Sequence, residues 1–231
     1  MKVIALIPAF NEEATIAEVL VKTKPFVDGM VVVNDGSTDR TAQIAQGQGA
    51  IVVSHVINRG LGAAVGTGFA AAKRWKADVV VTLDADGQHD AHEIQKFLAA
   101  IEAGADVVIG SRMLEISSPS QGEVGRGLMP FHRRVANTIG NLVTLLLFGA
   151  WVTDSQSGFR VFTRYALGKI EVKTNRMEVS SELIAEAKRH QLKLVEVPIQ
   201  AIYTDYSLSK GQNFFVGLKT VVKLVVRRLM S

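Results

Sequence analysis

Short apolar runs alternate with amphipathic stretches along the first 110 residues of the chain. Runs rich in Val and Ile predict β-strands at residues 2–8, 29–34, 50–55, 78–83 and 106–110. The stretches between them have a helical period and predict helices at residues 12–24, 38–48, 61–75 and 90–103. Nearly continuous apolar strands separated by helices are typical of an α/β fold, in which helices cover both faces of a mostly parallel sheet.

The pattern changes after Arg112. Residues 113–131 contain Ser, Gly and Pro without periodicity and predict a loop. The remaining predicted elements are, in order, an apolar helix at about 131–148, a polar turn at 153–160, a helix at 178–190, a strand at 192–199, a loop at 203–213 and a C-terminal helix. We therefore expect one domain over residues 1–211, followed by a separate helix over residues 212–231.

The C-terminal helix has one apolar face and a neighbouring basic face. The apolar residues recur at helical spacing and are Phe214, Phe215, Leu218, Val221, Val222, Val225, Val226 and Leu229. Lys219, Lys223 and Arg227 follow one another every four residues. A basic amphipathic helix predicts contact with a membrane surface or with a partner protein. The alternative is a helix packed on the domain with its lysines in solvent.

Composition places the chain among ordinary globular proteins, with 48% hydrophobic and 21% charged residues. The absence of Cys excludes disulfides, thiolate metal ligands and a cysteine nucleophile. No stretch reaches the roughly 18 consecutive apolar residues that span a bilayer. The apolar N-terminus runs into Pro8 and is interpreted as a strand, not a signal peptide. We expect a soluble or peripheral protein.

The formal net charge of +4 is unevenly distributed, since five basic residues and no acidic ones follow position 209. Such a tail favours an anionic partner, which is a membrane surface, a phosphate group or a nucleic acid. The basic residues lack interleaved aromatic side chains and any motif that recognises bases. The sequence therefore argues against a nucleic-acid partner.

Polar loops follow each of the first four predicted strands, at residues 8–12, 34–37, 58–62 and 84–89. Ligands of open parallel sheets bind at the carboxyl ends of the strands. Because these four loops would all lie at that edge, we expect the functional site there.

The loop after the fourth strand reads "DADGQH" and offers oxygen ligands at Asp84, Asp86 and Gln88. Carboxylate and amide oxygens suit Mg²⁺ or Mn²⁺, which complete their coordination with water and substrate phosphates. The alternative is a solvated turn that caps the helix beginning near Asp90. His89, taken alone, is interpreted as a structural or surface residue.

Two other loops have a plausible binding role beside a structural one. Asp35 can accept hydrogen bonds from a base or ribose, or it can belong to an Asp-Gly turn before a helix. The Gly-rich stretch at residues 58–73 begins a helix, where backbone N–H groups favour phosphate. It does not follow the first strand, so a dinucleotide-binding motif is poorly supported. We expect Gly66 and Gly68 to serve close helix packing.

In order and spacing, these motifs resemble the inverting family 2 glycosyltransferases of the GT-A fold, in particular the polyprenyl-phosphate glycosyltransferases typified by dolichol-phosphate mannose synthase. The resemblance extends over essentially the whole chain. The matching segments are "IPAFNEE" (7–13), "VVNDGSTDRT" (32–41), "NRGLGAA" (58–64), "LDADGQH" (83–89), "GSR" (110–112), "TDSQSGFR" (153–160), "ELIAEA" (182–187) and "SLSKGQ" (207–212).

The resemblance implies a nucleotide sugar as donor and a polyprenyl phosphate as acceptor. Its implied nucleotide contacts are Pro8, Phe10, Glu12, Val33 and Asp35, with Gly60 as a further substrate contact. Asp84, Ala85 and Asp86 would lie along the sugar diphosphate, with Asp86 and Gln88 as the protein ligands of Mg²⁺ or Mn²⁺. Arg112 and Lys210 would contact phosphate groups, and Arg133 and Arg134 would bind the acceptor phosphate.

The chemistry of the acceptor decides whether a base is needed. A lipid phosphate is already an anion near neutral pH, so it needs nearby positive charge and no strong general base. A hydroxyl acceptor would require a base such as Asp154. Asp154 can instead orient the arginines or cap the turn that it begins.

One departure from the pattern concerns the donor. The resembled mannose synthases carry Arg six residues before the loop lysine, whereas this chain has Thr204. The absence of this Arg favours a donor other than GDP-mannose, such as a UDP-hexose. The same difference is compatible with an alternative hypothesis, in which the protein is a nucleotide-sugar-binding subunit without activity. With a lipid acceptor, we expect the protein at the cytoplasmic face of the membrane, with a small transmembrane partner protein as an open alternative.

Overall fold

The computed structural model describes residues 1–115, 131–200 and 202. The strands are Val3–Ala9 (β1), Gly29–Asn34 (β2), Ile51–Ser54 (β3), Val79–Thr82 (β4), Val107–Ser111 (β5), Arg160–Thr163 (β6) and Leu194–Pro198 (β7). The α-helices are Ile16–Thr23 (α1), Thr41–Gly47 (α2), Leu61–Arg74 (α3), Ile94–Glu102 (α4), Arg112–Glu115 (α5), Phe131–Phe148 (α6), Arg164–Lys169 (α7) and Val179–Arg189 (α8). Short 3₁₀ helices cover Lys24–Phe26 and Ala91–Glu93.

The seven strands form one sheet in the order β3-β2-β1-β4-β6-β5-β7. All neighbouring strands are parallel except β6, which runs antiparallel to both β4 and β5. The carboxyl ends of β4, β5 and β7 therefore lie at the same edge as the start of β6. This edge receives the loops that carry the predicted site residues.

Alternate residues of β1 point to opposite faces of the sheet and enter two separate cores. Ala5 and Ile7 belong to the core that α1, α2 and α4 cover. Ile4 and Leu6 belong to the core beneath α3, α7 and α8. Because both faces of the central strands are buried, the strands are apolar throughout. The predicted α/β architecture with a mostly parallel sheet is confirmed.

The structure corrects the predicted elements after β5. The polar turn predicted at 153–160 leads directly into β6 and α7, which the pattern did not indicate. The loop predicted from residue 113 begins as the short helix α5, and residues 116–130 lie outside the described part of the chain. The C-terminal helix predicted within 212–231 also lies outside it. Across the described residues, none of the helices combines the length and hydropathy needed to cross a bilayer.

Helix α3 approaches the sheet closely at one of the two glycines predicted to serve packing. A Cβ atom on Gly68 would lie 2.0 Å from Leu6 Cδ1, so only glycine fits there. A Cβ on Gly66 would be 3.6 Å from Val172, which is an ordinary contact. The packing explanation is therefore confirmed for Gly68 and is wrong for Gly66.

Candidate active site

The loop after β4, here called the acidic loop, brings Asp84, Asp86, Gln88 and His89 together. Gly87 lies at its centre with a φ of +78°, a left-handed conformation that favours glycine. The chain reverses there, and the N–H of Gln88 donates to Asp86 Oδ1 at 3.0 Å. The predicted oxygen ligands therefore converge at the carboxyl edge of the sheet.

Asp84 and His89 form a pair at the base of the acidic loop. His89 Nε2 lies 3.0 Å from Asp84 Oδ2, and the imidazole packs against Phe159. The His89 side chain is 4% exposed, whereas that of Asp84 is 41% exposed. Burial raises the pKa of Asp84, but the hydrogen bond with His89 and the nearby positive charges outweigh it, so the pKa lies below its ordinary value. These charges are His89, Arg112 and Arg160.

Asp86 is perturbed in the opposite direction. Burial and the negative charge of Asp84 raise the pKa of Asp86, and the charge of His89 and the hydrogen bonds from Gln88 offset only part of this effect. Gln88 Nε2 lies 2.5 Å from Asp86 Oδ2, so the amide and the carboxylate are adjacent. The acidic loop therefore has two carboxylates and too little positive charge to match them.

This donor set fits Mg²⁺ or Mn²⁺. Both ions prefer oxygen ligands and keep several coordination positions for water and substrate phosphates. Among the described residues, no three His, Asp or Glu side chains converge closely enough to hold a metal unaided. Asp86 and Gln88 could therefore hold such an ion together with oxygens from water and a bound diphosphate.

Arg112, the first residue of α5, is fixed by Asp154 in what we call the arginine clamp. Nε and Nη2 of Arg112 lie 2.7 and 2.9 Å from the two carboxylate oxygens of Asp154, and the Arg112 backbone N–H donates to Oδ2 at 3.1 Å. Asp154 is completely buried, whereas the Arg112 side chain is 17% exposed. A two-pronged ion pair fixes the plane of the guanidinium group. This geometry favours the orienting role of Asp154 over that of a base.

Glu196, near the middle of β7, supports the arginine clamp from behind. Its carboxylate accepts hydrogen bonds from the backbone N–H of Thr153 at 2.8 and 2.9 Å, from the Thr153 hydroxyl at 2.8 Å and from the Asp154 N–H at 3.2 Å. Ser111 Oγ lies 2.6 Å from Thr153 Oγ1 and also accepts two backbone N–H groups of α5. The clamp is therefore tied to both β5 and β7.

Arg160 holds the turn before β6 from below. Its guanidinium is almost fully buried and donates to the carbonyls of Ser155, Ser157 and Ser180 at 2.7, 2.8 and 2.9 Å. Burial lowers the pKa of Arg160 to about 10, although nearby carboxylates oppose the shift. Arg160 therefore remains charged at neutral pH and places a fixed positive charge beneath the site.

The same turn touches the acidic loop at Gly158. A Cβ atom there would lie 2.4 Å from Asp84 Oδ1, so the Asp84 carboxylate rests directly against the Gly158 backbone. Thr82 Oγ1 donates to the Gly158 carbonyl at 2.8 Å and holds the turn in place. The acidic loop and the arginine clamp are therefore joined by residues 154–160.

Asp35, one of the predicted nucleotide contacts, organises the loop after β3. Its carboxylate accepts the N–H groups of Arg59 and Gly60 at 2.9 and 2.7 Å and contacts His55 Nδ1 at 2.7 Å. His55 Nε2 in turn lies 2.9 Å from Thr67 Oγ1 on α3. Asp35 is almost fully buried, and its carboxylate oxygens are occupied by partners within the protein.

The glycines at the start of α3 permit close backbone approach. Gly60 has a φ of +97°, and a Cβ on it would lie 2.5 Å from the Asn175 carbonyl oxygen. A Cβ on Gly62 would lie 2.1 Å from the Thr174 carbonyl oxygen, and the Ala63 N–H donates to the Asn175 carbonyl at 3.1 Å. The segment at 174–175 therefore covers the helix start that the sequence offered as a phosphate site.

The other predicted nucleotide contacts differ in accessibility. Pro8 and Val33 pair in register on β1 and β2, and the Val33 side chain is fully buried in the core. Phe10 is 44% exposed, and Glu12 is half-buried in the loop after β1. The Ala85 side chain also lies in the core. Phe10 and Glu12 can therefore reach a ligand with their side chains, whereas Val33 and Ala85 can do so only through their backbone.

Helix α6 brings Arg134 towards the arginine clamp. Asn141 Nδ2 donates to the Thr153 carbonyl at 2.6 Å, and Asn141 Oδ1 accepts the Ser155 N–H at 2.8 Å. Asn137, one turn earlier, also reaches the Thr153 carbonyl at 3.5 Å. Arg134 precedes Asn137 by three residues and therefore lies near this helix face.

Two predicted phosphate contacts cannot be located. The Arg133 side chain and all of Lys210 lie outside the described residues. The segment after β7 meets the acidic loop at Ile202, whose N–H donates to the Gln88 carbonyl at 2.9 Å.

The sequence did not predict a role in the site for four residues, which are His55, His89, Arg160 and Glu196. Glu196 had a usable signal, since a lone carboxylate inside the apolar run "LVEVP" indicates a buried partner. His89 had only its place in the acidic motif. His55 bonds to Asp35 and Thr67, which lie 20 and 12 residues away, and Arg160 bonds to Ser180 as well as to the nearby Ser155 and Ser157, so no local pattern predicted these full sets of contacts.

This strand order and the placement of the acidic loop define a GT-A glycosyltransferase fold, which solved structures share. The glucosyl-3-phosphoglycerate synthase of Mycobacterium tuberculosis, in complex with Mn²⁺, uridine diphosphate and phosphoglyceric acid, matches with a TM-score of 0.73 over 98% of this chain and 78% of that one. The two sequences are 20% identical, so the likeness concerns the fold. The predicted GT-A fold is confirmed.

The chain belongs to glycosyl transferase family 2, whose model it matches over residues 4–169. A UDP-N-acetylglucosamine–dolichyl-phosphate N-acetylglucosaminyltransferase of Methanococcus voltae is 34% identical over 97% of this chain and 95% of its own length. A polyprenol monophosphomannose synthase of Mycolicibacterium smegmatis is 31% identical over 98% of this chain and 88% of its own length. The predicted family and enzyme class are confirmed: the protein is a glycosyltransferase.

Proposed function

We propose that the protein transfers a hexose from a UDP- or GDP-linked sugar to a polyprenyl phosphate, such as dolichyl or undecaprenyl phosphate, with inversion and with Mg²⁺ or Mn²⁺. One observation carries this proposal: an acidic loop short of positive charge lies at the same sheet edge as an arginine clamp. The names of the two relatives, which specify dolichyl phosphate and polyprenol monophosphomannose, support a lipid phosphate acceptor.

The identity of the sugar donor is specified less narrowly than that of the acceptor. The relatives' names specify N-acetylglucosamine in one protein and mannose in the other. Thr204 stands where the resembled mannose synthases have Arg, which favours a UDP-hexose over GDP-mannose. Pro8, Phe10, Glu12 and the loop held by Asp35 are proposed to receive the nucleotide.

The acidic loop is proposed to hold the donor diphosphate. Asp86 and Gln88 would hold the divalent cation, and Asp84, with its lowered pKa, stays ionised beside them. A cation bound there neutralises the charge that develops on the leaving diphosphate. Arg112 and Lys210 are proposed to contact phosphate oxygens of the substrates.

The reaction needs no general base if the acceptor is a phosphate. An oxygen of the acceptor phosphate forms a bond to the anomeric carbon while the bond from that carbon to the diphosphate breaks, and the electron pair leaves with the diphosphate. Arg133 and Arg134 are proposed to bring the two anions together. Asp154 is buried against Arg112, so we assign it a positioning role.

We propose that residues 1–211 form the catalytic domain and that residues 212–231 contact the membrane surface at the cytoplasmic face. A lipid acceptor requires the enzyme to work at a bilayer, and a basic amphipathic segment suits that position. A small transmembrane partner protein is a further component of this proposal. The anionic partner of the basic tail is then lipid and not nucleic acid.

The test is transfer from a panel of radiolabelled UDP- and GDP-hexoses to undecaprenyl or dolichyl phosphate in vesicles, with Mn²⁺ or with a chelator. We expect metal-dependent label in the lipid phase from one donor. NMR of the product would show whether the anomeric configuration is inverted. Nucleotide binding without lipid label would contradict the proposed acceptor and favour a hydroxyl acceptor or an inactive subunit.

A further inference from the structure

Helix α8 (Val179–Arg189) and its N-cap residue carry three glutamates at intervals of four residues, which places them on one helix face. They are Glu178, Glu182 and Glu186, and they are 7, 8 and 8% exposed. A buried carboxylate is costly unless donors within the protein satisfy it. The buried glutamates therefore indicate a task for this face, and the donors bonded to Glu182 show what that task is.

Glu182 holds the backbone of the segment that precedes α8. Its Oε1 accepts the N–H of Lys173 at 3.1 Å, and its Oε2 accepts the N–H and the hydroxyl of Thr174 at 2.9 and 2.5 Å. Thr174 is itself only 9% exposed. Three hydrogen bonds to one carboxylate fix the backbone at Lys173 and Thr174.

The same segment also lies against the start of α3, at residues 58–62, which we call the glycine loop. A Cβ atom on Gly60 would lie 2.5 Å from the Asn175 carbonyl oxygen, and one on Gly62 would lie 2.1 Å from the Thr174 carbonyl oxygen. The Ala63 N–H donates to the Asn175 carbonyl at 3.1 Å. Because the two backbones are in contact, the position of Thr174 and Asn175 determines the position of the glycine loop.

Asp35 holds the glycine loop at a second point. Its carboxylate accepts the N–H groups of Arg59 and Gly60 at 2.9 and 2.7 Å. Gly60 therefore bonds to Asp35 through its N–H, while the carbonyl of Asn175 lies where a side chain would start. The glycine loop is thus fixed between the residue that follows β2 and the segment that Glu182 holds.

We propose that Glu182 is a positioning residue for the nucleotide-sugar donor. It acts through Thr174 and Asn175, which fix the glycine loop in the shape that receives the donor, and it does not contact the donor itself. This inference rests on the proposed function, because that function assigns the loop held by Asp35 to the nucleotide.

The two residues before Glu182 on α8 bond to other parts of the site. The Ser180 carbonyl accepts a hydrogen bond from Arg160 at 2.9 Å, and Ser181 Oγ lies 2.9 Å from Thr144 Oγ1 on α6. The bonds from Glu182 to the segment at 173–174 lead to the glycine loop instead. Loss of the Glu182 carboxylate should therefore affect the donor, while the contacts of α8 with Arg160 and α6 remain.

Hydrogen exchange measures the positioning directly, in the whole chain and without any substrate. Glu182→Gln replaces one carboxylate oxygen by an amide NH₂ group that cannot accept, so the amides of Gly60 and Ala63 should exchange about tenfold faster. The matched control is Glu186→Gln, since Glu186 is equally buried on the same face but accepts the N–H of Glu171, before the segment that covers the glycine loop. Unchanged exchange in Glu182→Gln, or equal acceleration in both variants, would overturn the proposal.

Donor binding tests the functional consequence. In Mn²⁺, Glu182→Gln should weaken the binding of UDP or GDP by about tenfold and raise the KM of the donor but not that of the acceptor. Thr174→Val removes the hydroxyl bond and keeps the N–H bond, so it is a milder variant with a smaller effect. Because both residues act through one segment, the effect of Thr174→Val should largely vanish in the Glu182→Gln background. Additive effects of the two substitutions would contradict the positioning role.

The outcomes for this proposal and for the proposed function are distinguishable. If the wild type transfers no sugar to lipid while Glu182→Gln still weakens nucleotide binding, the positioning role stands and the proposed acceptor is wrong. If the wild type transfers sugar to lipid and Glu182→Gln binds the donor equally tightly, the proposed function stands and the positioning role is overturned. Circular dichroism checks that each variant is folded.

Discussion

The acidic loop and the arginine clamp lie at the same edge of the sheet, yet their charges are balanced in opposite ways. In the acidic loop, burial and the negative charge of Asp84 raise the pKa of Asp86, and His89 and the hydrogen bonds from Gln88 compensate only in part. In the clamp, Arg112 and Asp154 satisfy each other through three hydrogen bonds. The protein's own groups therefore offset the charge of Asp86 only in part, whereas Arg112 and Asp154 of the clamp are paired with each other.

The difference shows how one site divides its work. Under the proposed function, a bound cation would relieve the charge repulsion in the acidic loop, and such strain is a common cost of function. In the clamp, Asp154 fixes the plane of the Arg112 guanidinium without any ligand, so the charge of Arg112 is preorganised. Variants of the acidic loop and of the arginine clamp should therefore respond differently.

The largest effect is expected from Asp86→Asn. Loss of the carboxylate proposed to hold the cation should lower metal-dependent transfer by about 100-fold or more, because metal stabilisation of a leaving group contributes several kcal/mol. Initial rates against Mn²⁺ concentration would measure it. Glu18→Gln removes one exposed carboxylate on α1 and should change nothing. An Asp86→Asn rate equal to that of the wild type would contradict the metal assignment.

Asp154→Asn should disrupt the clamp and not the acidic loop. We expect kcat to fall by about 10- to 100-fold because Arg112 loses its fixed orientation. The free energy of unfolding should fall by about 3 kcal/mol because a buried pair is broken. Enzyme kinetics and urea unfolding measure the two effects.

The pH profile distinguishes positioning by Asp154 from base catalysis. With a positioning role, the acid limb of the pH–rate profile keeps its shape at a lower rate in Asp154→Asn. Disappearance of that limb would show that Asp154 is the base and that the acceptor is a hydroxyl.

The contact between the two regions is tested at Gly158. A Cβ there would lie 2.4 Å from Asp84 Oδ1, so Gly158→Ala should displace that carboxylate. We expect a loss of stability of about 1–3 kcal/mol from overpacking, together with slower transfer. Gly168→Ala is the matched control, since a Cβ on Gly168 meets no atom within 4 Å. Thermal unfolding and activity assays compare the two variants, and equal effects would refute the close contact.

The smallest effect concerns stability without metal. The raised pKa of Asp86 means that its ionised form weakens the folded state, and this penalty disappears as the pH falls below the unfolded-state pKa of 3.8. Asp86→Asn should therefore raise the Tm in chelator at neutral pH and lose this advantage in acid. The lowered pKa of Asp84 predicts the opposite sign for Asp84→Asn. Calorimetry at neutral pH and in acid measures these changes in Tm. A change of the same sign for both variants would contradict the charge assignment.

The first five strands were predictable because each is a compact apolar run. Residues 29–34 were predicted with the observed bounds, and the other four strands within two residues. Strand β6 was missed because it has only four residues, "RVFT", and begins with a charged one. Its stability comes from neighbours on both sides, which a local pattern does not contain.

The chemistry of the site was more predictable than its supports. Asp84, Asp86 and Gln88 were predicted as metal ligands from their residue types and spacing, whereas Arg112 was predicted as a phosphate contact only from the family resemblance. The burial of His89 against Phe159 and the bond of Arg160 to Ser180 depend on contacts between segments that are distant in sequence. Asp35 was expected to face a ligand, whereas its oxygens are engaged by residues 55–60. Sequence patterns specify donors and acceptors but not which of them the protein itself will satisfy.

The antiparallel strand β6 has a consequence for the order of folding. It separates β4 from β5, and the contact between Thr82 and Arg160 joins residues 78 positions apart. Strands β1 to β4 can pair as soon as they leave the ribosome, but β5 has no neighbour in the sheet until β6 or β7 has been synthesised. Pairing over such separations is slow because a long loop must close first. The arginine clamp, which is bonded to β5 and β7, is therefore assembled last, so a nascent chain that stops before residue 160 would hold the paired strands β1 to β4 and the acidic loop without a complete clamp.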